Sequence, residues 1–344
     1  MNFDVTLRAN PAIRETVNAR WNSLTKPPGS LGVLETLVAD LAEMQGTAQP
    51  RLQHKQMYIF CGDHGVTAEG VSAWPAEVTA QMVRNFVRGG AAISVLGKSL
   101  GIDLAIVDCG VLGPPIAGTL DYKIAQGTRN FAREPAMTRV QAEQALENGA
   151  ALARASNADI VGIGEMGIGN TASASALVCA FTGVSPFQAV GRGAGISDEG
   201  LLRKRVVVEQ GLALHSAAIR NPLETLAALG GFEIATMTGF LIASAATRRP
   251  VVVDGFITTA AVLAAQALAP SVTDYLIYAH CSAEQAHQRV LDHLRAKPIL
   301  NLGMRLGEGS GAALALGLIA QAVALYENMA TFEQASVAEA TEGH

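Results

Sequence analysis

The sequence predicts an α/β protein built around a Rossmann-like, doubly wound and mainly parallel sheet of five or six strands. Two observations indicate this fold. From about Met57 onward, short apolar runs alternate with stretches of helical periodicity, which is the order expected of βαβ units. The runs are also apolar almost throughout, as strands are when helices cover both faces of a parallel sheet.

Five segments are predicted strands, at 57–62, 103–110, 158–164, 250–255 and 274–280. Helices are predicted between them at 76–87, 139–155, 170–183, 197–217, 232–247 and 257–268. The first fifty residues differ, since 13–24 and 31–45 both show helical spacing around the breaker TKPPGS. They predict a helical arm ahead of the sheet.

The composition favours a cytoplasmic protein that binds a small molecule. Its net charge of -5 gives no basic surface for nucleic acid. The four cysteines lie far apart without a CxxC pair, which disfavours a disulfide framework and a zinc ribbon. The N-terminus lacks the apolar core of a signal peptide. The apolar run at 312–325 falls short of the roughly 20 residues that cross a bilayer, and it predicts a buried or interface helix.

The motif GEMGIGNT, at 164–171, follows the third predicted strand and opens a helix. Gly167 and Gly169 would allow a ligand to approach the backbone, and Asn170 and Thr171 could cap the helix and present N–H groups to a phosphate. Glu165 lies at the same mouth, where it could meet hydroxyl groups. The alternative is a tight strand-to-helix turn. Because the motif matches neither GxGxxG nor GxxxxGK[ST], a dinucleotide or ATP site is disfavoured.

A second glycine-rich loop, GRGAGI at 191–196, contains Gly193 and Gly195 and precedes a helix. Lys204 falls about two turns into that helix. It could reach a phosphate only if the loop folds over the same face. The alternative is that Arg203-Lys204-Arg205 is a solvated basic stretch.

Three further places carry candidate groups. Asp254 ends a predicted strand, where it could bind ribose hydroxyls or loop N–H groups. The Asp63-His64 pair has no additional ligand at zinc-like spacing, so a structural hydrogen-bonding role is expected for His64. His280 and His287 are seven residues apart, which also disfavours a metal site, and no metal is expected.

Aromatic and acidic residues stand in two other loops. Trp74 lies among small residues, where it could stack on a flat heterocycle or simply pack. Glu308 sits inside RLGEGSGAAL, a loop of the kind that cradles anions at a helix N-terminus. A carboxylate beside an anion site needs a role of its own.

A set of motifs in order along the chain resembles one family. They are KPPGSLGVLE, CGDHGVTAEGVSAWPAEVTAQMV, DCGV, GTRNF, GEMGIGNTASASAL, GRGAGI, PVVVDGFI and LGMRLGEGSGAALAL. From about residue 20 to 326 the chain is similar to the nicotinate-nucleotide:dimethylbenzimidazole phosphoribosyltransferases of cobalamin nucleotide-loop assembly. This resemblance implies transfer of phosphoribose from nicotinate mononucleotide to 5,6-dimethylbenzimidazole, giving α-ribazole 5′-phosphate and nicotinate.

The resemblance also implies an architecture and an assembly. It implies a homodimer without metal or cofactor, and a small helical domain formed by both chain ends. The expected boundaries are 1–50 for the N-terminal helical arm, 51–285 for the large α/β domain and 286–344 for the C-terminal helical part.

Residue by residue, the resemblance assigns roles to the candidate groups. Glu308 matches the family's catalytic glutamate and Glu165 its second acidic residue. The nucleotide and phosphate positions and the base-side positions follow from the same motifs: Gly167, Gly169, Asn170, Thr171, Gly193, Gly195 and Lys204 for the nucleotide, and Trp74 and Gln81 for the base. Asp254 is expected among the nucleotide positions because of its place at the end of a strand. The family varies at the position of Trp74, so the natural base acceptor stays open.

The chemistry gives Glu308 a role distinct from anion binding. In nicotinate mononucleotide the glycosidic nitrogen is part of a cationic pyridinium ring, so nicotinate departs neutral at that nitrogen and needs no general acid. The attacking benzimidazole, by contrast, carries a ring N–H that must be lost. A carboxylate hydrogen-bonded to that N–H would act as general base. The alternatives are a nucleotide- or benzimidazole-binding protein without activity, or another nucleotide-dependent enzyme on a Rossmann-like fold.

Overall fold

The computed structural model describes residue 5 and residues 10–193 and 195–338, which form a six-stranded parallel sheet between two layers of helices. The strands are β1 (Lys55–Gly62), β2 (Asp103–Gly110), β3 (Leu120–Asp121), β4 (Ile160–Met166), β5 (Val251–Val253) and β6 (Leu276–Tyr278). Their order is β3-β2-β1-β4-β5-β6, and every neighbouring pair is parallel. This is the doubly wound order of nucleotide-binding sheets, so the predicted fold class is confirmed.

All five predicted strands are present, and the sixth is the two-residue edge strand β3. The α-helices are α1 (Pro11–Ser23), α2 (Val33–Gln45), α3 (Glu77–Arg88), α4 (Ala92–Leu100), α5 (Arg139–Ala155), α6 (Asn170–Thr182), α7 (Pro186–Ala189), α8 (Asp198–Leu214), α9 (Pro222–Leu229), α10 (Phe232–Ala246), α11 (Phe256–Leu268), α12 (His287–His293), α13 (Ser310–Asn328) and α14 (Phe332–Ala335). Short 3₁₀ turns lie at Gly65–Glu69, Ala218–Arg220 and Pro270–Tyr275.

Helices cover both faces of the sheet. Helices α10 and α11 pack on one face, with α5 against α10, and helices α3, α4 and α13 pack on the other. The central residues of β1, β2, β4 and β5 are therefore buried on both sides. This double cover explains why the strands are apolar almost throughout rather than alternating.

Helices α5 and α10 cross at glycines. A Cβ atom on Gly149 would lie 1.9 Å from the carbonyl oxygen of Thr236, and one on Gly239 would lie 2.0 Å from that of Leu146. The two backbones are thus in direct contact, with no room for a side chain at either position.

The two ends of the described chain lie together. Trp21 of α1 packs on Tyr326 of α13 with ring centroids 5.1 Å apart, and Leu24 bridges to Thr331. The proposed domain boundaries at 50 and 285 remain a prediction, and residues 1–4, 6–9 and 339–344 of those domains lie outside the described residues. Helix α13 is long and apolar enough to cross a membrane, but 56% of that window is buried within the fold, as in a core helix.

The strand order reverses between β1 and β4. Open α/β sheets bind ligands beyond the carboxyl ends of their strands at such a switch point. Here β1 ends at Gly62, β4 at Met166 and β5 at Val253, so the loops that follow them meet at one edge.

Candidate active site

A cleft of about 420 Å³ opens at this edge of the sheet. Its wall contains every predicted site residue except Gly195 and Gln81. Gln81 is exposed on α3, whereas Val78 and Met82 of the same helix line the cleft. Successive helical residues are about 100° apart around the axis, so Gln81 and Met82 point in different directions. Gly195 has a φ of +96° and follows Ala194, which lies outside the described residues.

Glu165 lies one residue before the end of β4 and is buried. The side-chain amide of Asn170 donates a hydrogen bond to its Oε2. Its Oε1 rests against Gly307, where a Cβ atom would be only 2.5 Å away. Glu165 therefore touches both the β4–α6 loop and the loop that carries Glu308.

Burial raises the pKa of the Glu165 carboxyl to about 8. The hydrogen bond from Asn170 opposes this shift, and the negative charges of Asp254, Glu233 and Glu308 add to it. The neutral form is consequently favoured at pH 7. A cationic ligand beside Glu165 would favour the ionised form instead.

The glycine loop after β4 approaches the end of β1 closely. A Cβ atom on Gly167 would lie 2.3 Å from the carbonyl oxygen of Gly62. Gly169, with a φ of +94°, is the N-cap of α6, and no described side chain caps this helix. The prediction that Asn170 and Thr171 cap the helix is therefore wrong, because they are its first two residues.

Lys204 of α8 reaches the same helix end. It is 1% exposed, and its Nζ donates to Thr171 Oγ1 at 2.6 Å and to the carbonyl oxygen of Gly191 at 3.3 Å. Gly193, with a φ of +53°, lies beside both Thr171 and Lys204. The loop thus folds over this face of α8, and only Arg203 behaves as a solvated side chain, paired with Glu199.

Burial lowers the pKa of Lys204 to about 8, and the negative charge of Glu284 opposes the shift. An ammonium group so poorly hydrated gains strongly from an anion placed beside it.

Asp254, which follows β5, holds the start of α13. Its Oδ1 accepts from the N–H of Ala312 at 2.9 Å, and its Oδ2 accepts from the N–H of Gly309 at 3.2 Å. Of the two roles open to Asp254 on sequence grounds, the structure shows the binding of loop N–H groups. Burial raises its pKa to about 7 against these hydrogen bonds.

Glu308 has a φ of +62°, between Gly307 and Gly309, which also have positive φ. A left-handed conformation is unusual for a non-glycine residue and costs energy that the surrounding structure must supply. The side chain is buried and accepts a hydrogen bond from the N–H of Ile93, at the start of α4.

The Oε2 atom of Glu308 is buried without a hydrogen-bond partner among the described residues. Burial raises the pKa of this carboxyl above its ordinary value, and the Ile93 N–H opposes the shift. A carboxylate with one free oxygen and raised basicity is suited to accept a proton from a ligand.

One part of the cleft wall is apolar. Trp74 is 53% exposed and lines the cleft together with aliphatic and thioether side chains: Val71, Val78, Met82, Met166, Ile168 and Leu306. Such a surface suits a flat, uncharged heterocycle.

Sequence reasoning missed several groups at the cleft. Arg192, Glu284 and Arg305 line it, and Ile93 supports Glu308. The two arginines stand inside the glycine-rich motifs, which was an available signal. Nothing local marks Ile93 or Glu284.

His287 makes structural contacts. His287 Nε2 lies 3.0 Å from Thr259 Oγ1, and its Nδ1 accepts from the N–H of Ser282 at 2.8 Å. In the described part of the chain, no group of three or more His, Cys, Asp or Glu side chains could hold a metal ion.

The chain is similar throughout to one group of enzymes. The model of a family described as phosphoribosyltransferase (DBI_PRT) matches residues 7–337. A nicotinate-nucleotide–dimethylbenzimidazole phosphoribosyltransferase of Cupriavidus necator is 49% identical over 99% of this chain and all of its own length. The enzyme of the same name from Solidesulfovibrio magneticus is 49% identical over 93% of each chain.

A solved structure is similar as well. The crystal structure of CobT from Thermus thermophilus aligns with a TM-score of 0.89 and 41% identity, covering 96% of this chain and all of the other.

Proposed function

The chain belongs to this phosphoribosyltransferase family, and on that premise we propose that it transfers phosphoribose from nicotinate mononucleotide to 5,6-dimethylbenzimidazole. The family resemblance inferred from the motifs is confirmed, and the protein is an enzyme that transfers a pentosyl group. The products would be α-ribazole 5′-phosphate, nicotinate and a proton.

One observation carries the proposal: Glu308 presents a carboxylate oxygen that no described residue hydrogen-bonds, in the cleft that also contains a buried ammonium group. A series of contacts links the two. Lys204 touches Thr171, the adjacent Asn170 donates to Glu165, and Glu165 rests on Gly307, the neighbour of Glu308. Groups suited to a phosphate, a ribose and a proton therefore follow one another along the wall.

The phosphate of the nucleotide is placed beside Lys204. The N-terminus of α6 and the backbone around Gly193 lie at the same place, and the helix dipole favours an anion at this end. This places the phosphate at the glycine loops, away from the carboxylate of Glu308.

The ribose then lies near Glu165. Positive charge develops on the ring oxygen and anomeric carbon as the bond to nicotinate breaks. A carboxylate beside it stabilises that charge or holds the ribose hydroxyls. The oxocarbenium-like charge also favours the ionised form of Glu165, which burial disfavours.

The base acceptor occupies the apolar wall near Trp74 and Leu306. One ring nitrogen of dimethylbenzimidazole attacks the anomeric carbon from the face opposite nicotinate, so the β-nucleotide gives an α-product. The bond from the anomeric carbon to the pyridinium nitrogen breaks, and its electron pair neutralises the ring. Glu308 accepts the proton of the second ring nitrogen, a contribution of about 10²–10⁴-fold.

Two features of the proposal concern the whole molecule. We propose a homodimer and a cytoplasmic location, as the resemblance and the composition suggest. Measurement of mass in solution by light scattering tests the first of these.

The test of the reaction uses purified protein with nicotinate mononucleotide and dimethylbenzimidazole. Nicotinate and ribazole phosphate are separated by chromatography, for wild type beside Glu308→Gln. The proposal is supported if wild type forms product and Glu308→Gln loses most of the rate but keeps its affinity for the nucleotide. Equal rates would remove Glu308 from its role, and no product from wild type would favour a binding protein.

A further inference from the structure

His64 and Glu233 form a pair beneath the cleft that the proposed mechanism does not use. His64 follows β1 in the motif CGDHG, and Glu233 lies in the first turn of α10. The Nε2 of His64 lies 2.7 Å from Oε1 of Glu233, and both side chains are 0% exposed. The imidazole is therefore fixed on one side by a buried carboxylate.

The other ring nitrogen faces the helix that begins at the cleft. The Nδ1 of His64 lies 3.1 Å from Oγ of Ser173, in the first turns of α6. Glu233, His64 and Ser173 thus form a continuous buried hydrogen-bonded series from α10 to α6.

Glycines surround this pair. A Cβ atom would lie 2.3 Å from His64 Cε1 at Gly231 and 2.9 Å from Glu233 Oε2 at Gly62. On the cleft side, a Cβ atom would lie 3.4 Å from His64 Cδ2 at Gly167 and 3.3 Å from His64 Cβ at Gly169. The imidazole is wedged between the start of α10 and the glycine loop of the cleft.

Asp63, the residue before His64 in the same motif, supports the middle of the glycine loop through Thr79. The N–H of Ile168 donates to Oγ1 of Thr79 at 3.0 Å, and the Thr79 hydroxyl bonds to the Asp63 carboxylate. Asp63 and His64 therefore support the loop at separate points, Ile168 and the start of α6.

We propose that His64, held by Glu233, is a positioning residue that sets the glycine loop and the start of α6 for binding the nucleotide. This inference rests on the proposed function, since it names the support of the same phosphate and ribose site. It assigns a role to the histidine of CGDHG, which makes no contact with the reacting atoms.

The proposal separates the two substrates. The loop binds the nucleotide, whereas the apolar wall near Trp74 binds the base. Weakening the His64 link should raise the KM for nicotinate mononucleotide while the KM for dimethylbenzimidazole changes by less than about twofold. Loss of one such hydrogen bond predicts an increase of about two- to tenfold.

The experiment uses variants that keep one bond of the imidazole at a time. The two substitutions of His64, to Asn and to Gln, are each combined with Glu233→Gln, so that no buried carboxylate is left without a partner. His64→Asn places an amide near the Nδ1 position and can still bond to Ser173, and His64→Gln places one near Nε2 and can still bond to residue 233. We expect the KM for nicotinate mononucleotide to be raised in Ser173→Ala and in the His64→Gln double variant. In the His64→Asn double variant, which keeps the bond to Ser173, this KM should stay closer to the wild-type value.

A buried histidine away from the loop serves as the control. His215 bonds through Nε2 to the carbonyl oxygen of Phe131 at 2.8 Å, so His215→Ala should lower the melting temperature without a selective change in nucleotide KM. If the His64 and Ser173 variants shift both KM values equally, or behave as His215→Ala does, the positioning role is wrong.

Failure of the proposed function can be told apart from failure of this inference. If wild type forms no ribazole phosphate, the function fails. Calorimetric titration with nicotinate mononucleotide then still compares the variants. An unchanged dissociation constant in Ser173→Ala and in the His64→Gln double variant overturns the positioning role, and a selective weakening supports it.

Discussion

The Nζ atom of Lys204 lies 2.6 Å from Oγ1 of Thr171, so a buried ammonium group meets the first turn of α6. The contact joins two glycine loops, 167–169 and 191–196, that are separate in the sequence. A helix N-terminus and a cation that water hydrates poorly both favour an anion, which is why the nucleotide phosphate is proposed to bind here.

Replacing this ammonium should weaken nucleotide binding specifically. For Lys204→Met we expect the KM for nicotinate mononucleotide to rise at least about tenfold, because a charge-assisted hydrogen bond contributes about 1.5–3 kcal/mol. Steady-state kinetics with each substrate varied in turn provides the measurement. Arg203→Met is the matched control, since Arg203 is exposed, and an equal effect in both variants would contradict the assignment.

A plot of kcat/KM against pH should fall at both ends, with an acid limb and an alkaline limb. Burial raises the pKa of Glu308, so kcat/KM should fall with acid through a pKa above that of an ordinary glutamate. Lys204, with a pKa lowered to about 8, loses its charge as pH rises, so nucleotide capture should weaken above that pH. The profile is measured from pH 5 to 10.

Two variants assign these limbs. Lys204→Arg keeps a positive charge and should shift the alkaline limb upward, while Glu308→Gln should abolish the acid limb. Glu165 titrates over the same alkaline range, so its variant Glu165→Gln is run alongside. If the alkaline limb of Lys204→Arg lies at the same pH as that of wild type, the limb belongs to a group other than Lys204.

Strand β4 touches the loop of Glu308 at a glycine. A Cβ atom on Gly164 would lie 2.5 Å from the backbone N of Gly309. Gly164→Ala should therefore displace Glu308 and lower kcat about tenfold or more, with a smaller effect on nucleotide KM. Gly162→Ala on the same strand is the control, because its nearest neighbour is the flexible side chain of Met57. Equal kcat values in the two variants would show that the contact of Gly164 with Gly309 does not position Glu308 for catalysis.

Stability should fall as pH rises from about 4 to 8. Glu165 and Asp254 have pKa values raised to about 8 and 7 in the folded protein, from ordinary values of 4.5 and 3.8. Between those limits the folded state binds more protons than the unfolded state, so the stabilisation present at acid pH is lost as pH increases. Melting temperatures at pH 5 and pH 7 check the sign, and Glu165→Gln should reduce the difference.

The crossing of α5 and α10 should tolerate no side chain at Gly149. Since a Cβ atom would lie 1.9 Å from the Thr236 oxygen, Gly149→Ala should destabilise the protein by at least about 1–3 kcal/mol. Urea unfolding followed by circular dichroism measures this. Gln144→Ala, at an exposed position of the same helix, should be nearly neutral, and a neutral Gly149→Ala would show that the helices can separate at low cost.

The sequence predicts most of the fold because its signal is local. Apolar runs mark β1, β2, β4, β5 and β6, and the motifs at the ends of β4 and β5 place Glu165 and Asp254 at one edge. Glu308 reaches that edge from the loop before α13. The edge strand β3 is two exposed residues and carries no such run. Helix α4 is only nine residues long and contains Gly97, so its support of Glu308 through Ile93 was not foreseen.

Other features depend on tertiary contacts. The burial of Lys204 requires the loop at 191–196 to fold over α8, which no local pattern determines. The choice of Asp254 between a ligand and backbone N–H groups depends on where α13 begins. Gln81 lies outside the cleft because of its helical phase relative to Met82, although its motif spans the wall.

The position of Glu308 after all six strands has a consequence during synthesis. A ribosome adds residues in order, so the sheet, the glycine loops and the buried Lys204 are made before the residue proposed to accept the proton. Helix α13 must then emerge and pack before Asp254 can hold its first turn. A nascent chain therefore shapes the proposed nucleotide site first, and it acquires turnover only after Glu308 and α13 have been made.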